Sequence, residues 1–363
     1  MQPDSLATAT LERPKKRSLL SGSRKELSIF FILLAVCIAT ALKNHNFFGP
    51  DNFVDLTNLI GIYGIFSIGA AVVIITSGID LSVGSMFALL GVILAIALNN
   101  WHMNQWAAVL GTIAIGMFLG SIHGVLITRM RLQPFVVTLC GLLIYRGLAR
   151  FICGDDTEGF EDYAAHAATK STPATQGYEA LNNFATAKIE VRCDPLNWHP
   201  GYTIPMTFIV MLFIAAIMWV VIHRSVYGRY LLAVGRNEEA ARYSGINAKR
   251  IVASAYVVAG LLTGIAGILL AFYTTSISPS SHGNSFELYG IAAAVLGGCS
   301  LRGGEGSVIG VILGTALLQV LQNLVNLLGI PSSLNFAVVG AVILLGVIAD
   351  EIIKRQGQKK KLA

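Results

Sequence analysis

Apolar residues in this chain arrive in long runs separated by short polar stretches, and ten of the runs approach the roughly 20 residues that cross a bilayer as a helix. They cover residues 27–42, 59–76, 83–98, 106–128, 135–151, 203–222, 251–273, 288–299, 308–328 and 334–348. Only helices satisfy their own backbone in hydrocarbon at this run length. The expected fold is an all-α polytopic membrane protein of about ten transmembrane helices. The run at 288–299 is too short for a simple crossing, so a broken, tilted or re-entrant segment is expected there, with protein or water covering its backbone.

The polar stretches set the orientation. With ten spans and both termini inside, all but Lys43, Arg146, Arg150, Lys170, Lys188 and Arg192 of the 26 basic residues fall on cytoplasmic segments, as the positive-inside bias demands. An odd span count spoils that pattern. The expected organisation is a disordered basic arm at 1–26, a transmembrane domain at 27–350 and a basic tail at 351–363. No small-residue cleavage site closes the first apolar run, so it reads as a retained helix rather than a signal peptide. The long loop 153–201 falls outside and is acidic, with Asp155, Asp156, Glu158, Glu161, Asp162, Glu179, Glu190 and Asp194. Cys153 and Cys193 stand at its ends, either bridged in an oxidising compartment or left as two thiols. No cysteine pair has metal-site spacing.

Composition agrees with the membrane reading: 54% of residues are hydrophobic, 13% charged, and mean hydropathy is +0.66, where soluble domains carry about 25% charged residues. The net charge of +6 is accounted for by topology and by attraction to anionic membrane lipid. Nucleic acid is not needed to explain it. Gly116/Gly120, Gly260/Gly264 and Gly310/Gly314 are small-residue steps that let helices approach closely. A weak internal echo links Gly84-Ser85 and the apolar run after it to Gly306-Ser307 and its own, as a transporter built from repeats would show.

Two polar stretches carry chemistry. In the first, 76–85, Asp80 stands between two spans, where an acid is costly unless paired, capping or wet. A cap on the following helix, with Ser82 and Ser85 satisfying free backbone groups, is preferred to direct solute contact. The second lies between Arg224 and Arg250. There Glu238, Glu239 and Arg242 share an exposed side of a short helix, Ala240 and Ala241 allow close approach, and Gly245 ends it. It reads as a cytoplasmic handle for another subunit. The chain has no Gly-x-x-x-x-Gly-Lys-Ser/Thr phosphate loop, and Gly303-Gly304-Glu305-Gly306-Ser307 lacks the lysine. No nucleophile triad, paired carboxylates or histidine cluster appears in the spans. The chain is expected to be no enzyme and to hold no cofactor.

Four segments, in order, carry a family resemblance: Gly78-Ile79-Asp80-Leu81-Ser82-Val83-Gly84-Ser85; Gln133-Pro134-Phe135-Val136-Val137-Thr138-Leu139; Ala233-Val234-Gly235-Arg236-Asn237 with Glu239-Ala240-Ala241 and Gly245; and Leu296-Gly297-Gly298 through Gly303-Gly304 and Gly306. Together they resemble the ribose, xylose and arabinose type of bacterial ABC permease across residues 59–349. The resemblance implies a membrane subunit in the bacterial inner membrane, paired with a second copy or a paralogue. It also implies a cytoplasmic ABC ATPase, which holds the ATP and magnesium, and an external binding protein that delivers a monosaccharide. Its coupling element maps to Glu239, Ala240, Ala241 and Gly245, with Gly235 and Glu238 beside them. The long acidic loop departs from the compact loop of such permeases.

A neutral sugar needs hydroxyl partners rather than a charge clamp. Gln319, Gln322, Asn323 and Asn326 recur at three- and four-residue steps and form a polar stripe on an apolar helix, for either helix-to-helix hydrogen bonding or the solute path. Thr138, Tyr289 and Asn335 are further candidates for the lining. Two alternatives remain open: a permease for another small solute such as a nucleoside, branched-chain amino acid or signalling sugar, and an ion-coupled transporter using Asp80 or Glu287.

Overall fold

The computed structural model describes residues 20–160, 173–191, 202–331 and scattered positions between 334 and 344. Its helices in chain order are α1 (Leu20–Lys43), α2 (Pro50–Ile75), α3 (Val83–Asn99), α4 (Gln105–Arg129), α5 (Pro134–Ile152), α6 (Pro173–Thr186), α7 (Met206–His223), α8 (Val226–Arg236), α9 (Glu238–Tyr243), α10 (Ala248–Thr274), α11 (Phe286–Leu296) and α12 (Val308–Leu327). Seven are long and apolar enough to cross a membrane, namely α1, α2, α4, α5, α7, α10 and α12, while α3 and α11 are shorter apolar helices. The chain is an all-α polytopic membrane protein. The run at 334–348, the tail 351–363 and the first 19 residues lie outside or mostly outside the described residues. The arm expected to be disordered through residue 26 becomes helical at Leu20: once the apolar run fixes the helix, each preceding residue adds one backbone bond at little cost.

Local signals place the helix starts. Pro50 and Pro134 open α2 and α5 at the position where a missing N–H costs nothing. Asn104, Ser225, Asn247 and Ser307 cap α4, α8, α10 and α12 through side-chain oxygens that accept backbone N–H groups. α2 and α10 are mostly enclosed, whereas α1, α4, α5 and α7 leave most of their length uncovered. Phe31, Phe118, Leu143 and Phe213 are among the bare apolar side chains there, as acyl chains around a bundle require.

The close packing lies where the glycine steps predict it. A Cβ on Gly116 would sit 2.7 Å from the Gly260 carbonyl oxygen, and one on Gly120 would sit 2.2 Å from that of Tyr256. Hence α4 and α10 touch backbone to backbone. α10 also packs on α2, α12 and α7 pack on α2, and α11 lies between α12 and α2.

At one end of the bundle the described part of the 153–201 segment packs back onto the helices. α6 rests on the ends of α4, α7 and α10 with Leu181 and Ala185 buried. The two short sheets are antiparallel: β1 (Glu158–Gly159) with β4 (Ser276–Ile277), and β2 (Lys188–Val191) with β3 (Tyr202–Pro205). Arg150 grips Asp155 through Nε and Nη2 at 2.7 and 2.6 Å and holds that carboxyl below its ordinary value of 3.8. A depressed acid stabilises above its unfolded value and loses that contribution as pH falls through the folded one. This pair is exposed. Asp155→Asn is therefore expected to leave the thermal midpoint at pH 7 within about 2 °C of the parent; a larger drop in a detergent melt would contradict this.

Candidate functional site

The segment expected to form the handle is built from α8, α9 and the start of α10. Asn237 Oδ1 accepts the Ala240 N–H at 2.9 Å and starts the six-residue α9. Gly245, at φ +83°, takes the left-handed turn that ends it. Glu238, Glu239, Ala240 and Arg242 face outward, as does Tyr243, which is 92% exposed. Two residues grouped with this surface in the sequence turn inward instead. Ala241 is buried with Val234 of α8 and Ala248 of α10, so the turns on either side of α9 fold the three helices onto one small apolar cluster that seats it. Gly235 is buried at a backbone junction: a Cβ there would lie 1.8 Å from the Ile75 carbonyl oxygen and 2.6 Å from the Gly304 nitrogen.

That junction ties three segments together. Gly304 N–H donates to the Ile75 carbonyl at 2.9 Å. The Ser77 hydroxyl lies 3.0 Å from the carbonyl oxygens of both Gly235 and Arg302. The end of α2, the end of α8 and the glycine loop before α12 are therefore pinned to one another. The sequence places Ser77 in a polar turn without a role.

Residues 78–82 run from this junction into the bundle without helical structure. Asp80 sits midway along that stretch, 4% exposed, and so is enclosed rather than standing at the water's edge. Its Oδ1 accepts Ser82 N–H at 2.9 Å and the Ser82 hydroxyl at 2.6 Å, while Ser85 Oγ donates to the Ser82 carbonyl at 2.8 Å. These bonds fix Ser82, the residue before α3, but no side-chain oxygen accepts an N–H of the helix's first turn, so the expected cap is not formed: the carboxylate turns back onto Ser82, one residue short of the helix. Thr138 Oγ1 reaches the Ile79 carbonyl at 3.2 Å and the Pro134 carbonyl at 3.0 Å, so it secures the stretch from α5. His123 Nε2 and the Tyr145 hydroxyl meet at 2.9 Å nearby, and the Tyr256 hydroxyl is buried against Gly78. Sequence reasoning missed these three because they come from three different helices.

Half of the polar stripe of α12 is spent on its neighbours, and Gln319 Nε2 is buried without a protein partner. Asn323 and Asn52 exchange two amide hydrogen bonds, at 2.6 and 3.2 Å, and Gln322 bonds the Tyr289 hydroxyl. Gln319 is 2% exposed and Asn326 is open. Asn335 lies outside the described residues. Cys153 Sγ sits 3.0 Å from the Ala149 carbonyl oxygen, and Cys193 lies outside the described residues.

Arg146 differs from its expected place in an outer loop. It lies within α5, half-buried, with its guanidinium on backbone carbonyls of other segments. Apolar neighbours on both sides hide such a charge in a run-length reading.

A family model described as "Branched-chain amino acid transport system / permease component" matches residues 52–347. The ribose import permease protein of Escherichia coli strain K12 is 34% identical over 90% of this chain and 93% of its own length. The ribose import permease protein of Bacillus subtilis strain 168 is 33% identical over 95% and 98%. The xylose transport system permease protein of Escherichia coli strain K12 is 30% identical over 90% and 92%. No solved structure matches this chain. Since the model spans most of the chain and these relatives align along nearly all of it, the chain belongs to the permease-component family of the branched-chain amino acid transport system type.

Proposed function

We propose that this chain is the membrane-spanning subunit of an ATP-driven importer for a neutral monosaccharide of the ribose class. The observation that carries this reading is the end-to-end similarity to two ribose import permeases from distant bacteria. In the arrangement proposed, two such subunits, identical or paired with a paralogue, lie in the bacterial inner membrane. An external binding protein hands the sugar to them. Cytoplasmic ATPase subunits carry ATP and magnesium, and this chain contributes no catalysis of its own. α9 is the grip: Glu238, Glu239 and Ala240 face the ATPase, Ala241 and Gly235 seat the helix, and Gly245 sets its end.

The mechanism follows from the junction. ATP binding draws the two ATPases together and displaces α9. The backbone lock at Gly235, Ile75 and Gly304 passes the displacement to α2 and, through the glycine loop, to α11 and α12. The path then exchanges its outward opening for an inward one.

Uptake of labelled D-ribose by proteoliposomes holding permease, ATPase and binding protein tests the reading. ATP-dependent uptake is expected; uptake that ignores ATP and follows a proton gradient would mark an ion-coupled transporter. Glu239→Arg is expected to lower uptake about tenfold, the loss of roughly 1.4 kcal/mol at a contact, with membrane insertion unchanged because the side chain is exposed. One observation favours a second reading: Arg146 and Glu287, of opposite charge, both border Gly84 inside the bundle, as a zwitterionic solute would want. Leucine competing with ribose for entry would support it.

A further inference from the structure

Between α10 and α11 the chain descends into the membrane without helical structure. Ile277 lies against Gly91 of α3, and six residues later Gly283 lies against Gly84 and Phe87 of the same helix. Seven helical residues separate Gly91 from Gly84, about 10 Å. Arg146 marks the same depth from α5, six residues or about 9 Å short of that helix's outer end at Ile152. Its Nη1 donates to the Pro279 carbonyl at 3.0 Å and the His282 carbonyl at 2.8 Å, and its Nη2 reaches the Gly84 carbonyl at 3.4 Å. A guanidinium within a span is costly and marks a functional position by default.

The loop 278–285 has two sides. Pro279, His282 and Gly283 are buried, while Ser280, Ser281 and Asn284 are exposed. Irregular backbone at membrane depth survives only against protein or water, so this hydroxyl and amide edge does not face acyl chains. Four serines and an asparagine occupy eight positions here. Each both donates and accepts, which is what a ring of sugar hydroxyls requires. On α12, Asn323 and Gln322 are bonded to their neighbours, Gln319 Nε2 is buried without a protein partner and Asn326 is open; on the loop, the Ser280 hydroxyl lies 3.2 Å from that of Ser278, and Ser281 and Asn284 stay exposed. His282 Nε2, in the same loop, is buried without a protein partner.

We propose that Ser280, Ser281 and Asn284 form the hydrogen-bonding edge that meets a neutral polyhydroxy solute on its way through, with Arg146 as the positioning residue that fixes the edge at its depth. This rests on the sugar-importer reading. It is tested in the complete reconstituted transporter by counting D-ribose and D-xylose molecules imported per ATP hydrolysed. Ser281→Ala and Asn284→Ala are each expected to lower that ratio about tenfold, the worth of one good hydrogen bond. Ser281→Thr and Asn284→Gln, which keep the hydroxyl and the amide, are expected to retain more than half of it. Wild-type ratios in both alanine variants would overturn the proposal, and so would equal losses in the alanine and conservative variants. If the parent transporter carries neither pentose, the sugar reading itself falls, a result distinct from normal transport in the variants.

Discussion

Gly235→Ala is expected to reduce ATP-driven uptake to less than about a tenth of the parent. The added methyl lands 1.8 Å from the Ile75 carbonyl oxygen and 2.6 Å from the Gly304 nitrogen, and both obstacles are backbone. Neither yields by a rotamer change. Either α8 withdraws from the end of α2, or the bond from Gly304 to Ile75 breaks; overpacking of this kind costs about 1–3 kcal/mol. The consequence is specific, because the junction joins the α9 segment to the rest of the bundle. Hydrolysis by the ATPase is expected to continue without solute movement. Gly111→Ala is the control, since a Cβ there meets nothing within 4 Å, and it should transport normally. Parent-level uptake by Gly235→Ala would show that force does not travel through this contact.

Asp80→Ala is the second large effect. It removes the acceptor for Ser82 N–H and the Ser82 hydroxyl inside the bundle, leaving buried donors without partners at about 1–3 kcal/mol. The start of α3 is expected to fray, with a lower melting temperature for the purified permease and little uptake. Asp80→Asn keeps an oxygen in the Oδ1 position and is expected to preserve most of both. If the two variants fall together, the negative charge and not the hydrogen bonds is what matters there; if neither falls, Asp80 is not holding α3.

The spans were legible because length and polarity decide them: a run such as 251–273 has no soluble reading. The short run at 288–299 also announced its irregularity, and the structure places an 11-residue helix over that region. What stayed hidden depends on partners distant in sequence. Nothing around Asp80 says that α4, α5 and α10 close over it, or that His123, Tyr145 and Tyr256 gather beside it. Arg146 was placed outside because counting charges by loop assigns each to the nearer end of its run. The inward turn of Ala241 is not readable from a period: Val234, Ala241 and Ala248 belong to three separate helices, and the turns at Asn237 and Gly245 that bring them together break any shared register. In the α12 stripe the three- and four-residue steps put the amides on one face, but the choice of Asn52 and Tyr289 as partners belongs to the packing.

Residues 78–82 enter the bundle from the side of the α8–α9 junction, and residues 278–285 enter from the opposite side. They converge near Gly84. Two stretches with no helical ladder of their own thus share the first turns of α3 as a common wall, so a shift of that wall is registered by segments arriving from both ends of the bundle.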